Sequence, residues 1–285
     1  MKKVYKVLSS VALAGIIGAT TLGYSQTPTS AASVDKTVSA TEKAATTAPA
    51  AAVKKAEQTL KKITGTAYKL DQSDFLGGTE WSYSVKKSPN SYVLIDAKGK
   101  ISSASISTGK MTYHIQEDKL SHTSESIQLE TVDSSVQRAV DAVFDKMEGV
   151  EQGKLSGVSL IKKGAKQVYE FMFVDGEFGT WIEIDKKTLN VQSVNARALA
   201  DDLFEKDQEV IDKYEKSIKA LTEKELLAQA AEQAEAWLGV DLTGYKATKG
   251  AFPSDRVVFE KKGAPTIVGN FNSDGLFYSI GVKYL

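Results

Sequence analysis

The chain has 285 residues, a formal charge of zero, no cysteine and two histidines. With 42% hydrophobic and 25% charged residues it has the makeup of globular material, large enough for one or two domains. The balanced charge and the lack of any Lys/Arg cluster exclude an electrostatic footprint for nucleic acid, and the missing cysteines exclude disulfide staples and a lipoprotein anchor.

Residues 1–32 read as an export signal. Lys2, Lys3 and Lys6 form a basic start, and Val7 to Leu22 is mostly apolar. Small residues around Ser30-Ala31-Ala32 supply the expected cleavage site. Ser9, Ser10, Thr20 and Thr21 dilute the apolar run below the roughly 18–20 residues of a membrane span. Loss of the leader's three lysines leaves a net charge of about −3. The expected fate is secretion or loose wall association in a Gram-positive envelope, with no membrane contact after cleavage. Residues 33–52, rich in Ala, Thr, Ser and Pro, carry too few large apolar groups for a core and read as a disordered tether.

Three amphipathic helices follow, each expected to stop at a glycine: Gly65, Gly149 and Gly239, spaced 84 and 90 residues apart. The first, near Val53 to Thr64, repeats Val53, Ala56, Leu60 and Ile63 at helical spacing. The second carries Val136, Val140, Val143, Phe144 and Met147 behind a cap at Asp133 or Ser134. The third starts at Thr222, which can form a capping box with Glu225, and carries Ala230, Ala234, Trp237 and Leu238. At offsets of 31, 36 and 33 residues after the glycines come turns at Asp96, Asp185 and Asn272. Alternating runs flank them, among them Trp81/Tyr83/Val85, Tyr169/Phe171/Phe173 and Leu276/Tyr278/Ile280.

A helix buries one stripe and a period-two strand one face, so each can cover the other. The expected fold is therefore α+β: three repeated units, each an amphipathic helix packed on a small antiparallel β-meander. The units span 53–132, 133–197 and 222–285, with a connecting helix over 198–221 before the third. In that connector Phe204, Ile211, Tyr214, Ile218 and Leu221 recur at helical intervals, which suits packing on the neighbouring units; the alternative is a short partner-binding coiled-coil seam, interrupted at Asp207.

Ala56-Glu57 and Val140-Asp141 in the helices, the run Val93 to Ile101 around Asp96 and Gly99, and the run Trp181 to Val191 around Asp185 resemble PepSY-type domains. Repeated versions of these occur in YcdB/YcdC-like secreted bacillar proteins. The second copy has Lys187-Thr188-Leu189-Asn190 where a glycine is usual, and the third has Asn272 for the aspartate. The resemblance implies a noncatalytic role in inhibiting or regulating extracellular peptidases.

Chemistry-bearing motifs do not assemble. His114 and His122 are eight apart without HExxH or Cys/His spacing, and are expected to be exposed loop residues between the first two units. Gly77-Gly78 has no phosphate-loop context, and Asn270, Asn272 and Asp274 lack the bidentate Glu of a calcium loop. Asp201, Asp202 and Glu205 suit a helix start. No catalytic, cofactor-binding or metal residue is assigned. The candidate partner-binding residues are Trp181 and Glu183, which share a strand face opposite Ile182 and Ile184. If the helix covers the isoleucines, Trp181 stands on the open face as an anchor; the alternative is burial against the next unit. The function expected is that of a secreted noncatalytic protein-binding module regulating an extracellular peptidase. The alternatives are a structural envelope or matrix component and a small-ligand or metal-binding module, with oligomeric state left open.

Overall fold

The computed structural model describes residues 48–77, 80–203, 206–252 and 254–283. The expected leader, residues 33–47 of the tether, Gly78, Phe204, Glu205 and Tyr284 lie outside the described residues. The chain divides into two compact units that meet in sequence at Glu125 and Ser126.

Among the described residues the first unit is one helix on a six-stranded antiparallel meander. Helix α1 (Ala50–Thr64) is followed by β1 (Leu70–Gly77), β2 (Glu80–Val85), β3 (Tyr92–Asp96), β4 (Ile101–Thr108), β5 (Met111–Gln116) and β6 (Lys119–Ile127), paired in sequence order. Helix α1 buries Ala52, Ala56 and Leu60 over Val93, Ile95, Ile101, Ile106 and Ile115. Each large side chain in this layer contributes about 1.5–3 kcal/mol by leaving water. Gly65 ends the helix in the left-handed conformation, φ 76°. Gly99 is indispensable for docking. Its φ is +74°, and a Cβ there would lie 2.3 Å from the Ala52 carbonyl oxygen, so the turn and the helix meet backbone to backbone.

Among the described residues the second unit holds eight strands and three α-helices. Helix α2 (Ser134–Phe144) precedes β7 (Lys154–Lys163), β8 (Lys166–Asp175), β9 (Phe178–Asp185) and β10 (Val191–Ala196). Then come α3 (Gln208–Ala220), α4 (Glu223–Leu238), β11 (Lys246–Lys249), β12 (Arg256–Glu260), β13 (Ile267–Phe271) and β14 (Phe277–Val282). The strand order is β7-β8-β9-β10-β14-β13-β12-β11, all antiparallel. One core serves all of it: Val136, Val140 and Phe144 of α2, Ile218 of α3 and Ala230, Ala234 and Trp237 of α4 share a cluster with Phe171, Ile182, Val194, Phe259, Phe271 and Phe277.

Three helix-on-meander copies are therefore not what the chain builds. The second and third expected units are fused into one sheet by β10 pairing with β14, Val194 opposite Ile280. A short meander exposes the unpaired backbone of its outer strands, and pairing β10 with β14 satisfies both at once. Gly281 permits the join, because a Cβ there would meet the Ser193 Cβ at 2.5 Å. Nor does the first copy stop at three strands, since the polar stretch 111–127 continues its meander as β5 and β6. Helix α2 also ends at Phe144, well before Gly149, which takes φ +72° in the loop beyond.

Local details follow the sequence more closely. Asp133 caps α2 by accepting from the Ser135 N–H, and Thr222 and Glu225 form the reciprocal capping box of α4. The three recurring turns are alike in mechanism. Asp96 Oδ1 accepts from the Lys98 and Lys100 N–H groups, Asp185 Oδ1 from Lys187 and Thr188, and Asn272 Oδ1 from Asp274 and Leu276.

Candidate functional site

The outer strands β1 and β11 stand at the ends of the strand order and are built differently. Strand β1 has eight residues with neither Lys nor Pro, and pairs through β2 in a register shifted at two places. Asp71, Asp74 and Leu76 are exposed, Leu76 at 57%. Its first N–H, at Leu70, is taken by the Glu57 carboxylate of α1 at 3.1 Å, and Glu57 also pairs with Lys69 at 2.8 Å. Strand β11 has four residues bounded by Lys246 and Lys249. The Lys249 N–H donates to Glu223 Oε1 at 3.2 Å, and its ammonium donates to the carbonyls of Leu221, at 2.9 Å, and Ile218. A short lysine-bounded strand tied to helix ends resists a further strand, whereas a longer one held at its first residue leaves more backbone along which another can add.

Trp181 and Glu183 lie on β9, facing away from the buried Ile182 and Ile184. Trp181 is half-buried between Met172 and Asn195 on the neighbouring strands. Its indole covers Gly179, where a Cβ would lie 2.5 Å from the ring. Glu183 is only 4% exposed and stands opposite Glu170, itself 7% exposed. Both residues are thus brought to one face, but Glu183 is buried and Trp181 is half-covered by its own strand.

The histidines are placed unlike the exposed loop residues expected from their spacing. His114 on β5 and His122 on β6 are cross-strand partners, 7% and 5% exposed, with rings stacked 4.2 Å apart at 14°. A two-residue turn at Glu117 and Asp118, both with positive φ, closes this hairpin. Ser121 is the extra residue of a bulge that shifts the register so that His122 rather than its neighbour faces His114. Burial lowers the His114 pKa to about 4, so the ring is neutral at pH 7. Its Nε2 is buried without a hydrogen-bond partner, while His122 Nδ1 lies 3.3 Å from the Ser121 hydroxyl. Among the described residues no three His, Cys, Asp or Glu side chains converge as a metal site.

A second polar cluster sits in the second unit. The Tyr278 hydroxyl donates to the Asp255 carboxylate, Asn270 Nδ2 donates to the same carboxylate at 3.0 Å, and the Arg197 guanidinium lies 5.7 Å from the Tyr278 ring centre. Burial, then the Asp255 charge, pushes the Tyr278 and Tyr214 hydroxyls well above the ordinary tyrosine range. The alternation Leu276/Tyr278/Ile280 suggested one shared face. A register shift in the β13–β14 pair instead puts Phe277 and Ile280 in the core and sends Tyr278 to Asp255. Asp201 accepts from both the N–H and hydroxyl of Ser273 at 2.7 Å, and Asn272 Nδ2 donates to the Leu199 carbonyl at 2.8 Å. These groups anchor the turn before β14.

No family model, curated protein or solved structure matches the chain.

Proposed function

We propose that the chain is a noncatalytic extracellular binding module that takes an extended segment of a partner protein along the outer side of β1. The single observation that carries this reading is the contrast in length and fastening between the eight-residue β1, held at Leu70, and the four-residue, lysine-bounded β11. Strand addition draws affinity from main-chain hydrogen bonds, so it needs an accessible edge more than a pocket. Export is the expectation drawn from residues 1–32, and restraint of a peptidase follows from the resemblance to PepSY-type domains. In that role the added strand belongs to the peptidase or its substrate.

Adjacent prolines test the edge. Ser73 and Asp74 are neighbours in the β1 ladder, so their N–H groups point to opposite sides of the strand. Of Ser73→Pro and Asp74→Pro, one breaks the β2 pairing and lowers the melting temperature. The other leaves the fold intact and blocks an incoming strand. The partner, recovered from extracellular fractions with the native chain and identified, must be lost with the second variant. Equal recovery with both variants, or no effect of the chain on secreted peptidase activity, overturns the respective half of the reading.

A further inference from the structure

Lys166, the first residue of β8, donates from Nζ to Gln192 Oε1 of β10 at 2.6 Å, across the end of the intervening β9. We propose that this contact matures into an intramolecular isopeptide bond, in which Lys166 Nζ attacks the side-chain carbonyl carbon of Gln192 and ammonia leaves. The bond braces three neighbouring strands of the second unit, in a chain that has no cysteine for a disulfide.

Strand register sets the two side chains against each other. Val191 pairs with Ile184 and Ser193 with Glu183, so Gln192 is the extra residue of a bulge, a position that re-aims a side chain. Gln192 is 7% exposed, and its Nε2 donates to the Asn190 carbonyl at 3.2 Å, which fixes the plane of the amide. With a carbonyl bond of about 1.2 Å, Nζ stands roughly 3–4 Å from the amide carbon. Reacting atoms poised to combine stand about 3–3.5 Å apart. The fold thus replaces a rare encounter between amine and amide with a standing one, which removes much of the barrier to their reaction.

The reaction needs a neutral amine and a group that moves a proton. Burial holds the Lys166 ammonium below the ordinary lysine range, against the pull of Asp185 and Glu183. Asp185 is committed to its own turn through the Lys187 and Thr188 N–H groups. Glu183, 4% exposed and paired with the residue after Gln192, is the carboxylate in place to shuttle the proton. It takes a proton from Nζ as the Nζ–Cδ bond forms and gives it to Nε2 as the Cδ–Nε2 bond breaks. An ammonium and a primary amide become a secondary amide and an ammonium ion, with no oxidant, reductant or further reagent. One turnover is enough, because the released ammonia is diluted into solvent.

Mass spectrometry of the full chain, folded and incubated at neutral pH, tests the bond. The expected chain is lighter than its residues by one ammonia. A succinimide loses the same ammonia, so trypsin digestion must locate the loss. The expected product is residues 164–186, uncleaved at Lys166, joined to residues 188–197. Chain held unfolded in urea should keep its full mass, as should Lys166→Arg, which retains the charge, and Gln192→Met, which retains the size. Glu183→Gln should slow the loss roughly a hundredfold, the scale of positioned proton transfer; an undiminished rate removes Glu183 from the reaction. A folded native chain that keeps its full mass, a loss that maps to other residues, or the same loss in folded Lys166→Arg overturns the proposal. Where the variants do not fold, the branched peptide of the native chain decides alone.

Discussion

Strands β1 and β11 stand at the two ends of the strand order, β1 held to a helix through one N–H of its first residue and β11 through both the N–H and the ammonium of its last. Its last residue spends its N–H on Glu223 and its ammonium on two helix-end carbonyls, so the strand is fastened to the start of α4. Strand β1 is twice as long, is fastened at Leu70, and shows acids and Leu76 to solvent. The difference teaches that edge protection is bought by particular side chains and is not a property of sheets in general. It also separates the two units by what each can lose: the second depends on its fastenings, and the first carries its most sensitive polar group in the interior.

Acid should produce the largest effect, and it should fall on the first unit, which holds both histidines. The folded His114 pKa, about 4, lies below the ordinary 6.5, so between those values the unfolded chain binds the extra proton. Stability contributed by the neutral ring is complete above pH 6.5 and drains away as pH falls towards 4, by about 3 kcal/mol in all. Hydrogen exchange, corrected for intrinsic rates, should show β5 and β6 opening before β12 to β14. His114→Phe should flatten that dependence.

Next in size, Lys249→Met removes the ammonium from the Ile218 and Leu221 carbonyls and should cost about 1–3 kcal/mol in urea unfolding. If the loss is negligible, β11 is not fastened as described. Thr222→Ala breaks the capping box beside the same edge and should cost about 1 kcal/mol, read as a lower melting temperature. Smallest for stability is the pair Asp71→Lys and Asp74→Lys on exposed β1, expected within about 0.5 kcal/mol of the native chain. That pair should nonetheless change partner affinity, measured by titration with the recovered protein. Unchanged affinity would place the partner elsewhere.

The helices were legible because their signals are local: the Thr222–Glu225 box, the Asp133 cap and the stripes of Leu60, Val140 and Ala234 each act within a few residues. The turns at Asp96, Asp185 and Asn272 were legible for the same reason. Strands β5, β6 and β7 were not, because Ser, Thr, His and Lys fill their faces and bulges near Ser121 and Ser156 interrupt the alternation. Two-residue Gly-X loops at Gly109 and Gly164, each with positive φ between paired strands, were the missed signal for β5 and β7. For the site, one shared face for Trp181 and Glu183 followed from period-two spacing. The burial of Glu183 and the stacking of the histidines depend on strand register, which no local spacing in the sequence specifies.

The β10–β14 pairing also sets an order of assembly. Every strand contact in the first unit joins consecutive segments, so that meander can close step by step as chain becomes available. In the second unit β10 must wait, its far side open, until β14 arrives after two helices and three further strands. Removing Phe277–Val282 would therefore take out an interior strand of the second unit and sever β7–β10 from β11–β13. A chain shortened there keeps a complete first meander and loses the closure of its second sheet.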